Sequence, residues 1–259
     1  MLSYTFNLIA FEYFLLVFVR IASFMVSAPF FGMQGVPIMV RSGFSAVVAI
    51  MVVSVMKPSE VVYAGVISFA VLVMKEAITG LIIGFMAYVC NTIVIFAGNI
   101  IDMDIGFSMA SEFDPTMNTQ MTVTGQMYYY FMMLLLLVSD MHQYILRAVI
   151  DSFTLIPLGG ATFAWDSLLT TFTKYMTDSF IIAFRIILPV FAVMLVTNTI
   201  LGIMAKVAPQ MNMFSVGMQI KILIGLWAIF LVIFLFPEVV NMIVNEMYTM
   251  IQNGIEGMH

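Results

Sequence analysis

Seven stretches without a charged side chain dominate this 259-residue sequence, and each is 13 to 25 residues long. They are residues 21–40, 44–56, 61–74, 77–101, 117–139, 186–205 and 222–237. In a water-soluble domain about a quarter of the residues are charged, because the surface must face water. Here 63% of the residues are hydrophobic and only 9% are charged. The chain is therefore predicted to fold among lipid or other protein rather than in water.

The lengths of these stretches predict helices of an unusual kind. A helix needs about 20 mainly apolar residues to span a bilayer, but residues 44–56 and 61–74 provide only 13 and 14. Pro29 and Pro37 interrupt the stretch 21–40. Such helices are tolerated at membrane depth only where neighbouring protein satisfies the freed backbone groups. The prediction is an all-α integral membrane protein of helical hairpins with broken, sub-length apolar helices, surrounded by partners.

Charge and cysteine content exclude several classes of function. The net charge is −5 and no run of Lys or Arg occurs, so a basic surface for nucleic acid cannot form. Cys90 is the single cysteine, which excludes an intrachain disulfide and a cysteine-based metal cluster. The basic residues are spread singly and predict no orientation in the membrane.

The sequence carries none of the common catalytic signatures. The sequence contains no GxxxxGK, GxGxxG, HExxH or GxSxG pattern. His142 and His259 are far apart in the chain, and Asp102 and Asp104, two residues apart, would point away from each other on a helix. The sequence predicts no enzyme, no cofactor and no metal site.

Ionisable residues next to or inside the apolar stretches are candidates for function. Each would cost about 2.5 to 3.5 kcal/mol at the centre of a membrane helix. The six are Glu12, Arg20, Lys75, Glu76, Arg185 and Lys221. Neutralisation by a neighbouring side chain or a partner subunit is favoured over a proton relay, which would need a chain of such groups.

Glu76, Gly80 and Gly84 follow one another at four-residue spacing, which places them on one stripe of a helix. Small residues on such a stripe allow a second helix to approach closely in lipid. The stripe is predicted to be an assembly or core-packing face. The second helix could belong to the same chain or to a partner subunit.

Two connections between apolar stretches carry further candidates. Residues 101–116 contain four acidic residues but also the large apolar Phe107, Met109 and Phe113, so a solvated loop is one of two interpretations. Near the C-terminus Pro209 interrupts helix, and the amides of Gln210 and Asn212 follow. We expect a turn there held by contacts within the chain or with a partner, with a solvated loop as the alternative.

Four motifs occur in order along the chain. Arg20, residues 28–32 (Ala-Pro-Phe-Phe-Gly), Val36-Pro37 and Arg41 form the first, and residues 76–80 (Glu-Ala-Ile-Thr-Gly) with Gly84-Phe85 form the second. Residues 106–110 (Gly-Phe-Ser-Met-Ala) with Asp114-Pro115 form the third, and residues 208–217 (Ala-Pro-Gln-Met-Asn-Met-Phe-Ser-Val-Gly) with Lys221 form the fourth. Together they resemble the FliR family of flagellar biosynthesis proteins, the T-type subunits of the type III secretion export gate.

The resemblance covers nearly the whole chain and implies a structural and gating subunit of that gate. It implies one export-gate membrane domain over residues 1–259, similar to a P-type subunit over about 1–180 and to a Q-type subunit over about 181–259. One copy would join about five P-type and about four Q-type subunits through helix packing. Together they would form a closed helical assembly around a central pore, raised relative to the plane of the inner membrane. Unfolded flagellar proteins would pass through the central pore. The B-type switch and A-type export subunits are further implied partners, and the implied location is the flagellar basal body in the bacterial inner membrane.

The resemblance also implies roles for particular residues. A pore plug would comprise Gly106, Phe107, Ser108, Met109, Ala110, Phe113, Asp114 and Pro115. Subunit packing would involve Glu76, Gly80, Gly84, Pro209, Gln210, Asn212, Phe214, Gly217 and Lys221. A multi-pass secondary transporter is the alternative function, although its intramembrane polar groups would cluster around a substrate and here they are dispersed.

Overall fold

The computed structural model describes residues 8–32, 35–56, 63–107, 112–114, 119–210 and 212–258. These residues form α helices and one short β hairpin. The helices are α1 (Leu8–Ser27), α2 (Ile38–Val55), α3 (Val66–Ile105), α4 (Val123–Val138), α5 (Met141–Leu155), α6 (Trp165–Val207), α7 (Met213–Val232) and α8 (Phe236–Glu256). Strands β1 (Glu112–Asp114) and β2 (Thr119–Met121) lie between α3 and α4.

Most of these helices are long and apolar enough to cross a membrane. Within the described residues five candidate spans occur: α1, α2, α3, α6, and the stretch Ser215–Glu256 that contains most of α7 and all of α8. Helices α4 and α5, which follow each other closely in the sequence, would together make a sixth. The predicted all-α membrane class is confirmed.

Two of the apolar stretches belong to longer helices than the sequence predicts. Residues 61–74 were expected to form a separate short segment, but from Val66 onward they continue into the 40-residue α3. Helix α2 begins at Ile38 and has 18 residues, so the 13-residue segment 44–56 is also an incorrect prediction. Charged residues end a hydrophobic stretch in the sequence, but they do not break a helix when their charges have partners. Sub-length helices do occur, since α4 has 16 residues and α5 has 15.

The breaks predicted from proline are confirmed. Helix α1 ends at Ser27, two residues before Pro29, and α2 begins directly after Pro37. Proline has no backbone N–H to donate and fixes its own φ, so it favours a helix start and usually interrupts a helix interior. Pro189 is an exception, since it lies within the 43-residue α6.

The chain divides into two compact units that alternate along the sequence. The first comprises Met1–Val89, Asp140–Lys174 and Met247–His259. The second comprises Cys90–Ser139 and Tyr175–Glu246. The division near residue 180 into a P-like and a Q-like part concerns family resemblance rather than compactness, and it stays a prediction.

Large apolar side chains are exposed along α2. Those that are more than half exposed are Ile38, Met39, Val40, Val47, Ile50, Met51 and Val55. A water-soluble protein rarely exposes so continuous an apolar face. This face is suited to lipid or to the helices of another subunit.

Candidate functional site

Helix α3 ends at a glycine whose backbone is left-handed. Gly106 has φ of +98°, and its N–H donates a hydrogen bond of 3.0 Å to the carbonyl of Asp102. Side chains strongly disfavour this conformation, so glycine is the residue expected where a helix must stop and turn. The turn predicted at Gly106 is therefore present.

Asp102, one turn before that glycine, anchors the next helix. Its carboxylate accepts the backbone N–H of Thr124 at 2.7 Å and also the Thr124 hydroxyl. Thr124 is the second residue of α4, and the N–H groups of a first helical turn have no partner within their own helix. A carboxylate at a helix N-terminus also interacts favourably with the helix dipole. The fully buried charge of Asp102 is thereby satisfied without a basic residue.

Two further contacts hold α3 and α4 together at the same place. The Thr122 hydroxyl donates to Asn99 Oδ1 at 2.8 Å. Gly98 touches the backbone of Gly125 so closely that an added Cβ would lie 2.6 Å from the Gly125 nitrogen. The sequence indicates none of these pairings, because each joins residues more than 20 positions apart. The available signal was the sequence Thr122-Val123-Thr124 at the start of α4, whose N–H and hydroxyl groups can donate to an acidic side chain such as that of Asp102.

The predicted plug segment lies between the two residues of this anchor in the sequence. Gly106 and Phe107 are described and partly exposed. Phe113 and Asp114 belong to β1, which pairs antiparallel with β2 so that Phe113 lies opposite Gln120. Ser108, Met109, Ala110 and Pro115 lie outside the described residues. Because Asp102 and Thr124 are bonded to each other, the chain leaves α3 and returns to α4 at one fixed point.

The first unit contains a buried ion pair. Arg20 Nε donates to Glu76 Oε2 at 2.5 Å, and both side chains are fully buried. Arg20 Nη1 also donates to the carbonyls of Ser152 and Ile156, at 3.3 and 3.1 Å. Glu76 Oε1 accepts the N–H of Gly159 at 2.8 Å. One ion pair therefore connects α1, α3, the end of α5 and the turn that follows it.

The predicted glycine stripe packs against α1 of the same chain. A Cβ on Gly80 would overlap the carbonyl oxygen of Arg20 and the hydroxyl of Ser23. One on Gly84 would lie 2.7 Å from the carbonyl oxygen of Phe24. The structure therefore shows the same-chain alternative of the two that the sequence left open. A role for Glu76, Gly80 and Gly84 toward partner subunits stays a prediction.

Each of the other ionisable residues singled out in the sequence has an interaction partner within its unit. Glu12 accepts a hydrogen bond of 2.6 Å from the hydroxyl of Tyr63, and this bond raises the pKa of Tyr63. Lys75 donates to the carbonyl of Ala161, Arg185 lies 3.4 Å from Met242 Sδ, and the charge of Lys221 acts on Asp104. Each of these groups therefore has its own contact, and the contacts of Glu12, Lys75 and Arg185 are with uncharged groups.

The predicted turn near the C-terminus lies between α6 and α7. Pro209, Gln210 and Asn212 are exposed there, two to five residues after the last residue of α6. Gly217 is buried, and a Cβ added to it would lie 3.7 Å from Leu201 Cδ1. Lys221 is partly exposed. The side chain of Phe214 lies outside the described residues. Roles of these residues in subunit packing stay predictions.

Comparison with known proteins decides the family. The model of the bacterial export proteins, family 1, matches residues 11–247. The chain belongs to this family. Within the described residues, no three His, Cys, Asp or Glu side chains are grouped so that they could hold a metal ion.

The relatives of this family 1 export protein include FliR proteins. The chain is 32% identical over 243 residues to the flagellar biosynthetic protein FliR of Bacillus subtilis, which covers 93% of this chain and 92% of that protein. It is 24% identical over 209 residues to FliR of Escherichia coli, covering 80% and 78%. It is 30% identical over 161 residues to the surface presentation of antigens protein SpaR of Shigella flexneri, covering 62% and 61%. The resemblance to the FliR family is confirmed, and this export protein is a membrane-embedded component of flagellar protein export.

Proposed function

We propose that this protein is a structural and gating subunit of the flagellar type III export gate. It lines a pore through which unfolded flagellar proteins pass, and it helps to close that pore with the segment from Gly106 to Pro115. The observation that carries the proposal is the Asp102–Thr124 anchor, which fixes both ends of the intervening segment at one point between two helices.

A plug must block a pore at rest, give way to a substrate and then return. The anchor supports the return, because the buried carboxylate keeps α3 and α4 together even if the segment between them moves. Phe107 begins that segment, and Phe113 lies within it. Aromatic and other apolar side chains at a constriction exclude water and hence ions.

The lengths of the helices support a location among partner subunits. At 1.5 Å per residue, α3 with its 40 residues is about 60 Å long. The hydrocarbon core of a bilayer is about 30 Å thick, so roughly half of α3 lies beyond it. Exposed apolar residues beyond the lipid need protein to cover them. We propose that the P-type and Q-type subunits pack against these exposed apolar residues.

The remaining parts of the proposal follow from family membership. One copy of this chain would assemble with about five P-type and about four Q-type subunits through helix packing. The B-type switch and A-type export subunits would contact that assembly, in the flagellar basal body of the bacterial inner membrane. Residues 1–180 would take the place of a P-type subunit and residues 181–259 that of a Q-type subunit.

Deletion of residues 108–112 tests the plug. The complex should still assemble, but it should conduct ions in a planar bilayer and slow growth under ionic stress. As a control, Gly and Ser in place of the same five residues keep the chain length, and conductance of this variant assigns the barrier to the side chains. A deletion complex that assembles and remains as tight as the unmodified complex would show that the segment is not a plug.

Native mass spectrometry tests the assembly. The chain co-expressed with the P-type and Q-type subunits should appear as one copy in a larger complex, and the chain alone should give low yield or aggregates. A stable, monodisperse monomer or homodimer would instead support the secondary transporter.

A further inference from the structure

We infer that Asp104 and Lys221 form a charge pair that holds the last turn of α3 against α7. The pair makes Lys221 a positioning residue for the segment after Gly106. Its effect on export rests on the proposed function, whereas its effect on the stability of the protein does not.

Helix α7 lies directly on the end of α3. A Cβ on Gly225 would be 2.6 to 2.8 Å from three side-chain atoms of Ile105, the last residue of α3. The absence of a side chain at Gly225 therefore lets Ile105 reach the α7 backbone. Lys221 lies one turn before Gly225, on the same stripe of α7. Asp104 immediately precedes Ile105.

The charges at this contact are complementary. Asp104 Oδ2 is buried and has no hydrogen-bond partner among the described residues. The other acidic group of this turn, Asp102, is already bonded to Thr124. The positive charge of Lys221 acts on the Asp104 carboxylate. A buried carboxylate oxygen without a partner is unfavourable, and because no direct ion pair joins the two side chains, Lys221 compensates Asp104 at longer range, through a bridging water.

The pair joins the end of α3 to a helix other than α4. Asp102 fixes the α3 end to α4 through Thr124, and Asp104 fixes it to α7 through Lys221. Gly106 follows after one residue. Loss of either charge would leave the other without compensation and loosen α7 from the α3 end, whereas exchanging the two charges would preserve the attraction.

A charge-swap experiment tests the pair in the full chain, co-expressed with its partners. The variants are Asp104→Lys, Lys221→Asp and the double exchange. Each single reversal should lower secretion of flagellar subunits about tenfold, and the double exchange should recover most of that loss. Lys206→Asp is the matched control, because Lys206 is exposed in the last turn of α6 and should tolerate reversal. A double exchange that is no better than the worse single reversal overturns the pair.

The milder variants Asp104→Asn and Lys221→Met cover the case in which the reversals fail to assemble. Thermal unfolding of the purified complexes should show that their effects are not additive, since each removes the same interaction. Additive effects overturn the pair even if the deletion of residues 108–112 opens the pore. Non-additive effects support it even if that deletion leaves the membrane tight, in which case only the proposed function fails.

Discussion

Arg20 and Glu76 are 56 residues apart in the chain and form an ion pair in which both side chains are fully buried. The guanidinium lies 4.3 Å from the centre of the Phe153 ring, and two backbone carbonyls accept from its Nη1. Two charges are thus neutralised in an apolar environment by each other and by helix and turn backbone. The pair explains why Glu76 does not interrupt the apolar helix α3.

Removal of one member of the pair should destabilise the protein severely. Arg20→Met leaves Glu76 as an uncompensated buried charge, which typically costs about 3 to 5 kcal/mol. The double variant Arg20→Met with Glu76→Leu should lose less, because no buried charge is left. Thermal unfolding and yield of the detergent-solubilised complex measure the difference. Equal losses in the single and double variants would mean that the two charges are not coupled.

Alanine substitution in the glycine stripe distinguishes the effect of close packing on stability from the effect of helix propensity. Gly80→Ala should cost about 1 to 3 kcal/mol, because its Cβ would overlap a backbone oxygen that cannot rotate away. Gly43→Ala is the control, since a Cβ there meets nothing within 4 Å in an exposed part of α2. It should be neutral or stabilising by up to about 1 kcal/mol. The thermal midpoints of the two purified variants decide, and a Gly80→Ala protein as stable as Gly43→Ala would contradict the packing.

The anchor at the end of α3 predicts a separate phenotype. Thr124→Val removes one hydroxyl but little volume, and hydrogen bonds to charged groups contribute about 1.5 to 3 kcal/mol. Complexes with this variant should assemble, yet conduct ions more often in a planar bilayer because the plug returns to a less fixed point. Asp151→Asn, in an exposed position on α5, is the neutral control and should leave both assembly and conductance unchanged. Unchanged conductance for Thr124→Val would show that the Thr124 hydroxyl does not help to keep the pore closed.

Local chemistry made several features predictable from the sequence. Prolines 29, 37 and 209 mark breaks between helices because proline acts on its own backbone. Gly106 marks the end of α3 for a similar reason, since the demand for positive φ is local. The four-residue spacing of Gly80 and Gly84 correctly indicated a close approach of another helix. These signals depend on only a few neighbouring residues.

Long-range partners account for what the sequence did not predict. The charges of Lys75 and Glu76 divide α3 in the sequence pattern, because the partner of Glu76 is Arg20, which lies far away in the chain. The sequence pattern assigns Asp102 to a connecting loop and allows it as half of an acidic pair, but it lies in α3 and its partner is the start of a later helix. Strands β1 and β2 have three residues each, too few to produce a recognisable alternation.

Substitutions in the turn between α6 and α7 can distinguish a role in subunit contacts from a role in folding. Gln210 and Asn212 are exposed, and Asn212 precedes α7 without making a side-chain cap hydrogen bond. Replacing both by Ala should therefore leave the thermal midpoint of the chain, co-purified with its partners in detergent, nearly unchanged, because exposed positions without such contacts contribute within about 0.5 kcal/mol. If partner subunits bind these amides, secretion of flagellar subunits should nevertheless fall. Recovery of partners with an affinity-tagged variant measures the loss directly, and normal recovery with normal secretion would assign the turn to solvent.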